Sequence, residues 1–164
     1  QYGSCIICAL DHGMTSPNFL DGLYDTRKRT REAIAGGANV FMLGRGISRQ
    51  VVDEFTPATS LALMLSASAA GRPQGSMVTP IGSVDEALRL GADAVVVYVA
   101  LAGENESEMI QYASQIGEAS RPMGRTIYCA MRACAPSWGP ISSKSTGAAT
   151  SPRLRKSCVP PTCR

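Results

Sequence analysis

The apolar positions of this chain lie in short uninterrupted runs, separated by longer stretches of mixed polarity. The first run, residues 5–10, ends abruptly in Asp11, His12 and Gly13. Continuous apolar character without alternation is typical of a strand buried on both faces, as in a parallel sheet covered by helices. The other runs of this kind predict strands at residues 39–43, 61–65, 94–100 and 126–131.

The segments between these runs predict helices at residues 23–36, 48–55, 83–91 and 104–118. Residues 32–39 recur in similar form at residues 86–93, so a helix twice closes on glycine and then leads directly into a buried strand. Repeated units of this kind require parallel strands with helical crossovers, and long loops after the strands are typical of a (β/α)8 barrel. The predicted fold class is therefore α/β, a partial (β/α)8 TIM barrel with strands one to five at most, followed by an irregular basic tail.

Composition excludes several classes of protein. The 164 residues are 45% hydrophobic and 18% charged, which is ordinary for a globular chain. No apolar run approaches the roughly 20 residues that a membrane span needs. No basic segment precedes a cleavage motif, so we predict a cytoplasmic protein that does not bind membranes. The chain has no initiator Met and begins almost inside a strand, which indicates a fragment.

Charge divides the chain into two parts. Residues 1–118 contain all 13 acids and 8 Lys or Arg, a formal net charge of −5, whereas residues 121–164 contain 8 Lys or Arg and no acid. The basic residues of this second part are scattered among Ser, Pro, Cys and Gly without an amphipathic period, which disfavours nucleic acid as a partner. We therefore divide the chain into residues 1–124, part of a barrel, and residues 125–164, an atypical tail.

Asp11 and His12 are the candidate catalytic residues, because ligands of α/β proteins bind at the carboxyl ends of strands. A carboxylate at this position accepts a proton or orients a hydroxyl or a lysine, and it also commonly caps a loop. A lone histidine can act as an acid or base, but it is more often structural.

Three further side chains are candidates for substrate binding at the same edge. Arg45 lies in a glycine-containing loop after the second strand and offers a cation to an anionic substrate, although the loop lacks the full pattern of a phosphate-binding motif. Ser66 begins the exit from the third strand. Glu104 follows the fourth strand at the start of a helix, where acids also complement the helix dipole.

No metal site is predicted. Cys5 and Cys8 have the spacing of redox and zinc motifs, but in a strand the side chains of residues three apart point to opposite faces. Buried cysteine acting as a small hydrophobic residue explains them better. The four cysteines of the tail have unsuitable gaps and no accompanying histidine, which makes a four-cysteine zinc site a poor explanation.

Several motifs, in the correct order, resemble one group of enzymes. Ala-Leu-Asp-His-Gly at residues 9–13, followed by Ser16-Pro17 and Gly22-Leu23, resembles the first strand and loop of archaeal-type class I fructose-bisphosphate aldolases and 2-amino-3,7-dideoxy-heptulosonate synthases. Gly46-Ile47 and the segments at residues 83–93 and 103–109 match later parts of the same pattern. The resemblance covers about residues 3–124 and does not distinguish between the substrates.

The resemblance implies a (β/α)8 barrel that cleaves or forms a carbon–carbon bond in a phosphorylated ketose such as fructose 1,6-bisphosphate. A lysine on strand six forms a Schiff base with the ketone, a tyrosine after strand five moves a proton, and the aspartate matched by Asp11 assists in the acid–base steps. Backbone amides after strands seven and eight hold the phosphate. The family uses no metal or organic cofactor, and the resemblance implies a homo-oligomer.

The tail departs from this pattern. The tyrosine position falls on or beside Arg132, Tyr128 lies too early, and neither Lys144 nor Lys156 matches the nucleophile, so no Schiff-base lysine is assigned. A segment that loses acids and periodicity while gaining Arg, Ser, Pro and Cys is typical of out-of-frame translation of a GC-rich gene. The hypothesis of a frameshift near residues 121–126 predicts that this chain alone is inactive, has open sheet edges and is poorly soluble.

Three alternatives stay open. The first is a heptulosonate synthase, which works as an aldolase or transaldolase. The second is a non-catalytic binding protein whose basic tail contacts nucleic acid, with binding that weakens steeply as salt rises. The third is a product without function, made from a damaged or misread gene.

Overall fold

The structure is a computed structural model that describes residues 5–12, 21–68 and 77–121 with their side chains and residues 126–133 as a strand. The strands are β1 (Ile7–Ala9), β2 (Val40–Leu43), β3 (Ser60–Met64), β4 (Ser66–Ser68), β5 (Val78–Pro80), β6 (Ala94–Leu101) and β7 (Thr126–Ala133). The helices are α1 (Thr26–Ala35), α2 (Arg45–Val51), α3 (Val84–Arg89) and α4 (Glu106–Ser120), with short 3-10 turns at Asp21–Leu23 and Val52–Glu54.

Five of the strands form one parallel sheet in the order β1, β2, β3, β6, β7. These are the five strands that the hydrophobic runs predict, and all four predicted helices are present with shifted ends. The prediction that Arg45 lies in a loop after the second strand was wrong, because Gly44 is already the extended N-cap of α2 and Arg45 is its first residue. The antiparallel hairpin of β4 and β5 was not predicted.

The internal repeat has the same structural role at both of its copies. After α1 and after α3 a glycine takes a positive φ, 93° at Gly37 and 71° at Gly91, which only glycine adopts without strain. The next polar residue then accepts a hydrogen bond from the first part of the neighbouring strand. Asn39 Oδ1 accepts from the amide of Ile6 at 2.8 Å, and Asp93 Oδ2 accepts from the amide of Leu61 at 2.9 Å.

The sheet has two different faces. The helix-covered face packs against the helices and carries fully buried side chains such as Phe41, Leu43, Leu63 and Val97. The concave face carries the alternate residues of the same strands, among them Ile7, Val40, Met42, Ala62, Ala94 and Val96. These residues line an apolar cavity of about 310 Å³ near the amino ends of the strands. Exposure on this face is greatest at β1, where Ile7 is 45% exposed, and falls to 1% at Val96 of β6.

The two cysteines whose side chains are described lie on different faces, as strand alternation predicts. Cys5 lines the concave cavity, whereas Cys8 packs against the core of the helix-covered face. Burial raises the pKa of the Cys8 thiol. Cys8 is therefore a small hydrophobic residue of the core, as expected from the sequence.

None of the helices in the described ranges is long and apolar enough to span a membrane.

Candidate functional site

The five side chains singled out in the sequence all follow the carboxyl ends of strands in the parallel sheet. Asp11 and His12 follow β1, Arg45 follows β2, Ser66 follows β3 and Glu104 follows β6. The carboxyl ends of parallel strands meet at one edge, so these residues share the edge at which barrel enzymes bind their ligands. Their contacts nevertheless differ.

Asp11 is buried at this edge, with an exposed fraction of 6%. The amide of Leu10 donates to the carbonyl of Met42 at 3.0 Å, so the pairing of β1 with β2 continues to the residue before Asp11. Leu10 belongs to the core of the helix-covered face, and successive side chains of a strand alternate between faces. Alternation therefore places Asp11 on the concave side, in line with Cys5 and Ile7.

His12 is partly buried where the chain leaves β1. Its Nδ1 atom is inaccessible to solvent and has no hydrogen-bond partner in the part of the chain that the structure describes. A neutral imidazole always leaves one ring nitrogen as an acceptor and one as a donor. His12 therefore offers unused hydrogen-bonding capacity next to Asp11.

Ser66 is completely buried and its hydroxyl replaces part of the sheet ladder. The amide of Tyr98 donates to Ser66 Oγ at 2.7 Å, and the hydroxyl in turn lies 3.4 Å from the carbonyl oxygen of Tyr98. Backbone pairing of β3 with β6 ends one residue earlier, with the amide of Leu65 donating to the carbonyl of Val96. Ser66 therefore connects the two strands where the chain turns away into the hairpin.

Arg45 is the first residue of α2, and its side chain is 54% exposed. Its Nη1 atom lies 3.4 Å from both carboxylate oxygens of Glu86 in α3. This exposed ion pair is weak, because solvent screens it. An anion arriving at the edge would compete with Glu86 for the guanidinium.

Glu104 is exposed in the turn between β6 and α4. Its neighbour Glu106 has a defined role, since Glu106 Oε2 accepts a hydrogen bond from the amide of Ala102 at 2.7 Å. Ala102 has a φ of 59°, the left-handed region that costs a non-glycine residue about 1–2 kcal/mol. Glu106 thus holds this turn, a role that the sequence did not indicate.

Asn105 and Tyr112 also organise this edge, and no sequence motif indicated them. The amide group of Asn105 pairs with both backbone groups of Val78: the nitrogen donates to the carbonyl at 2.6 Å, and the oxygen accepts from the amide at 3.1 Å. The Tyr112 hydroxyl lies 2.7 Å from the carbonyl of Gly82 and 3.0 Å from that of Leu65, and burial raises its pKa. Tyr112 therefore joins the two ends of the segment that carries the hairpin, and Asn105 holds its second strand.

Several of the chemical groups considered in the sequence lie elsewhere. Lys28 is exposed in the first turn of α1, remote in the chain from every strand end. Lys144, Lys156 and the tail cysteines lie outside the residues whose side chains are described. Tyr128 lies within β7, opposite Val96, and is therefore in mid-strand rather than after it. Among the described residues, no group of three or more His, Cys, Asp or Glu is placed to hold a metal ion.

Comparison with known proteins shows the family. The sequence model of the DeoC/LacD family aldolases matches residues 5–125, about three quarters of the chain. The chain belongs to the DeoC/LacD family of aldolases. The match begins just before β1 and ends just before β7.

Curated relatives of this DeoC/LacD chain are synthases of seven-carbon sugar acids. It is 34% identical over 117 residues to a 2-amino-4,5-dihydroxy-6-oxo-7-(phosphonooxy)heptanoate synthase of Streptomyces griseus, covering 69% of this chain and 41% of the relative. It is 28% identical over 116 residues to a 2-amino-3,7-dideoxy-D-threo-hept-6-ulosonate synthase of Archaeoglobus fulgidus, covering 71% of this chain and 44% of the relative. The chain thus spans less than half the length of these relatives.

Solved structures show the same fold. An archaeal Schiff-base fructose-1,6-bisphosphate aldolase superposes with a TM-score of 0.63 at 23% identity, over 77% of this chain and 51% of that protein. A Corynebacterium glutamicum protein superposes with a TM-score of 0.54 at 12% identity, over 79% of this chain and 49% of its own. The predicted partial barrel is therefore confirmed: the described sheet is a curled half-barrel covered by helices.

Proposed function

We propose that residues 5–121 carry the amino-terminal half of the active site of a class I, Schiff-base aldolase that acts on a phosphorylated ketose. The observation that carries this proposal is the buried carboxylate of Asp11, which ends the first strand on the concave side in a chain of the aldolase family. A buried carboxylate in this position is suited to accept and return a proton during carbon–carbon bond cleavage.

The other candidates have supporting roles in the proposal. His12 contributes a hydrogen-bonding nitrogen beside Asp11, and Arg45 supplies a cation for an anionic group of the sugar. Glu104 lies exposed at the same edge of the sheet. Ser66 contributes chiefly by connecting β3 to β6, because its hydroxyl accepts from the amide of Tyr98 and donates to the carbonyl of the same residue. A cytoplasmic location, a homo-oligomer and the absence of a cofactor stay predictions from the resemblance.

The nucleophile is the part of the mechanism that these residues do not contain. Of the three lysines in the sequence, Lys28 lies on the outer helix α1. By resemblance the reactive lysine belongs to strand six, after the five parallel strands described. We therefore expect this chain alone to form no Schiff base.

A heptulosonate synthase is the second candidate, and the names of the curated relatives favour it. Both candidates use the same carbon–carbon chemistry, so residues 5–121 are compatible with either. Only turnover with the two classes of substrate distinguishes them.

Reductive trapping tests the proposal. The chain and a longer protein translated from the alternative reading frame are incubated with fructose 1,6-bisphosphate and sodium borohydride, and intact masses are measured. We expect an adduct on a lysine of the longer protein and none on this chain. In the longer protein, Asp11→Asn should lower kcat by about 10²- to 10⁴-fold while the adduct still forms. A longer protein that forms no adduct and turns over neither class of substrate would refute the proposed function.

A further inference from the structure

Tyr98 lies on the concave face of the half-barrel, in the middle of β6. Its two neighbours, Val97 and Val99, are completely buried in the core of the helix-covered face. Tyr98 touches the apolar clusters of both faces. Because successive side chains of a strand point to opposite faces, the orientation of its neighbours places Tyr98 on the concave side. The buried members of the concave cluster that it contacts are Ala62, Met64 and Val96.

The register of the sheet places Tyr98 close to the level of Asp11. The four strands from β1 to β6 are aligned at the interior positions Ala9, Met42, Ala62 and Ala94. Two residues further along each strand, the same alignment relates Asp11 of β1 to Val96 of β6. Tyr98 follows Val96 by two residues, which is about 6–7 Å along a strand toward the carboxyl edge. Concave side chains of a curled sheet converge toward its interior, so Asp11 and Tyr98 face the same space.

The main chain at Tyr98 is held on both sides. Its amide donates to Ser66 Oγ at 2.7 Å, and its carbonyl oxygen lies 3.4 Å from the same hydroxyl. On its other side, Tyr98 is aligned with Ala130 in the parallel pairing of β6 with β7. The position of Tyr98 is therefore set by the sheet, and Ser66 contributes to it.

Tyr98 lies where the concave face changes from apolar to polar. Toward the amino ends of the strands this face carries Met64 and Val96, and toward the carboxyl ends it carries Asp11 and Ser66. A tyrosine suits such a boundary, because an apolar ring ends in a polar hydroxyl. The Tyr98 hydroxyl oxygen is shielded from solvent, and hydrogen bonds are stronger in such surroundings than in water.

We infer that Tyr98 is a substrate-binding residue, whose phenol hydroxyl donates a hydrogen bond to a hydroxyl or carbonyl oxygen of the phosphorylated sugar. This inference rests on the proposed function and adds to it a contact from the fourth strand of the parallel sheet. The expected partner is an uncharged oxygen rather than the phosphate. Strands β1, β2, β3 and β6 contain no Lys or Arg, whereas the carboxylate of Asp11 faces the same interior.

Tyrosine NMR of the full chain tests this inference. The five tyrosines are labelled with carbon-13 at Cζ, the atom that bears the hydroxyl, and each resonance is assigned with a Tyr→Phe variant. Fructose 1,6-bisphosphate is titrated, with inorganic phosphate as the comparison probe. We expect the Tyr98 resonance to shift with the sugar. The resonance of Tyr24, which is 77% exposed, and that of Tyr112, which bonds to backbone carbonyls, should stay in place.

Affinity supplies the second measurement. Tyr98→Phe keeps the ring and removes only the hydroxyl, so the dissociation constant for the sugar should rise about 3- to 10-fold, as the loss of one hydrogen bond predicts. The exposed Tyr24→Phe is the matched control and should bind like the parent chain.

Five results would overturn the inference. The first three are a Tyr98 resonance that stays in place while the sugar binds, equal affinity of Tyr98→Phe and the parent chain, and equal shifts at Tyr98 and Tyr24. The other two are the same shift with inorganic phosphate alone and no binding of the sugar. None of these results decides the proposed aldolase function, which fails instead if the longer protein neither traps the sugar nor turns it over.

Discussion

The two faces of the sheet carry the same kind of apolar residue but differ in how deeply these residues are buried. On β2, Phe41 and Leu43 face the helices and are completely buried, while Val40 and Met42 face the concave side and keep part of their surface exposed. The sequence of β2 is apolar at all four positions and predicts burial on both sides. The segments that follow each strand bury the helix-covered face. Burial of the concave face depends instead on the side chains that fill the interior of a barrel.

This difference assigns stability and chemistry to separate layers. The helix-covered face holds nearly all of the fully buried large side chains. The concave face is apolar near the amino ends of the strands and becomes polar toward the carboxyl ends, at Asp11 and Ser66. Substitutions should therefore destabilise the fold most where helices cover the sheet.

Neighbouring residues of β2 give the largest predicted contrast. Leu43→Ala should lower the free energy of unfolding by about 2–5 kcal/mol, because it leaves a cavity in the packed layer. Met42→Ala removes a similar volume from the partly exposed concave side and should cost about 1 kcal/mol. Urea denaturation followed by circular dichroism measures both. Equal losses would contradict the distinction between the faces.

Two glycine substitutions test how tightly the helix-covered layer is packed. A Cβ at Gly82 would lie 2.9 Å from Leu65 Cδ2, inside the packed layer, so Gly82→Ala should destabilise by about 1–3 kcal/mol. Gly46 lies within α2 with nothing near its Cβ position, so Gly46→Ala should stabilise by about 0.5–1 kcal/mol. Thermal unfolding measures whether each substitution lowers or raises the stability. A gain in stability for Gly82→Ala would show that the layer has room.

Asn39 and Asp93 accept equivalent hydrogen bonds in the two copies of the repeat. They should contribute different amounts to the free energy of unfolding, because the amides that donate to them differ in burial. Asp93→Ala leaves the amide of Leu61, a residue only 3% exposed, without its hydrogen-bond acceptor and should cost about 1–3 kcal/mol. Asn39→Ala leaves the amide of Ile6, which is 47% exposed and open to water, and should cost less than about 1 kcal/mol. Asp93→Asn keeps an acceptor and is the matched control. A reversed order would contradict the explanation by burial.

The smallest effect is expected at Glu54, in the 3-10 turn after α2. Its carboxylate is 2.6 Å from Arg31 Nε and 2.7 Å from Arg27 Nη1, and these hydrogen bonds lower its pKa to about 2. The folded pKa is below the usual value of about 4.5, so Glu54 contributes stability at neutral pH and loses that contribution as pH falls from about 4.5 to 2. Urea midpoints measured across this range should fall less steeply for Glu54→Gln. An identical pH dependence would show that solvent screens the pairs completely.

The sequence predicted the sheet well because the hydrophobic runs, the helix caps and the two glycines after the helices all indicate the same fold. Asp25 and Ser83 cap α1 and α3, and their side-chain oxygens accept hydrogen bonds from the amides of Lys28 and Glu86. The hairpin was missed because β4 and β5 have three residues each, too few to show a period. It depends instead on Asn105, which is distant in sequence.

The placement of the candidate residues after strand ends followed from the sequence, whereas their contacts did not. Asp11 was singled out because an acid that directly follows a buried strand is conspicuous in any sequence. The engagement of Ser66 by Tyr98 and the capping of Ala102 by Glu106 depend on tertiary contacts that no local pattern contains.

We propose that the described residues are the first half of an aldolase barrel whose lysine is encoded in another reading frame. The most direct test is to read the encoding DNA from the codon of Gly117 onward in all three frames. We expect another frame to encode a helix and then a strand ending in a lysine. If the given frame is the only open one, the basic segment is genuine and the Schiff-base mechanism does not apply to this protein.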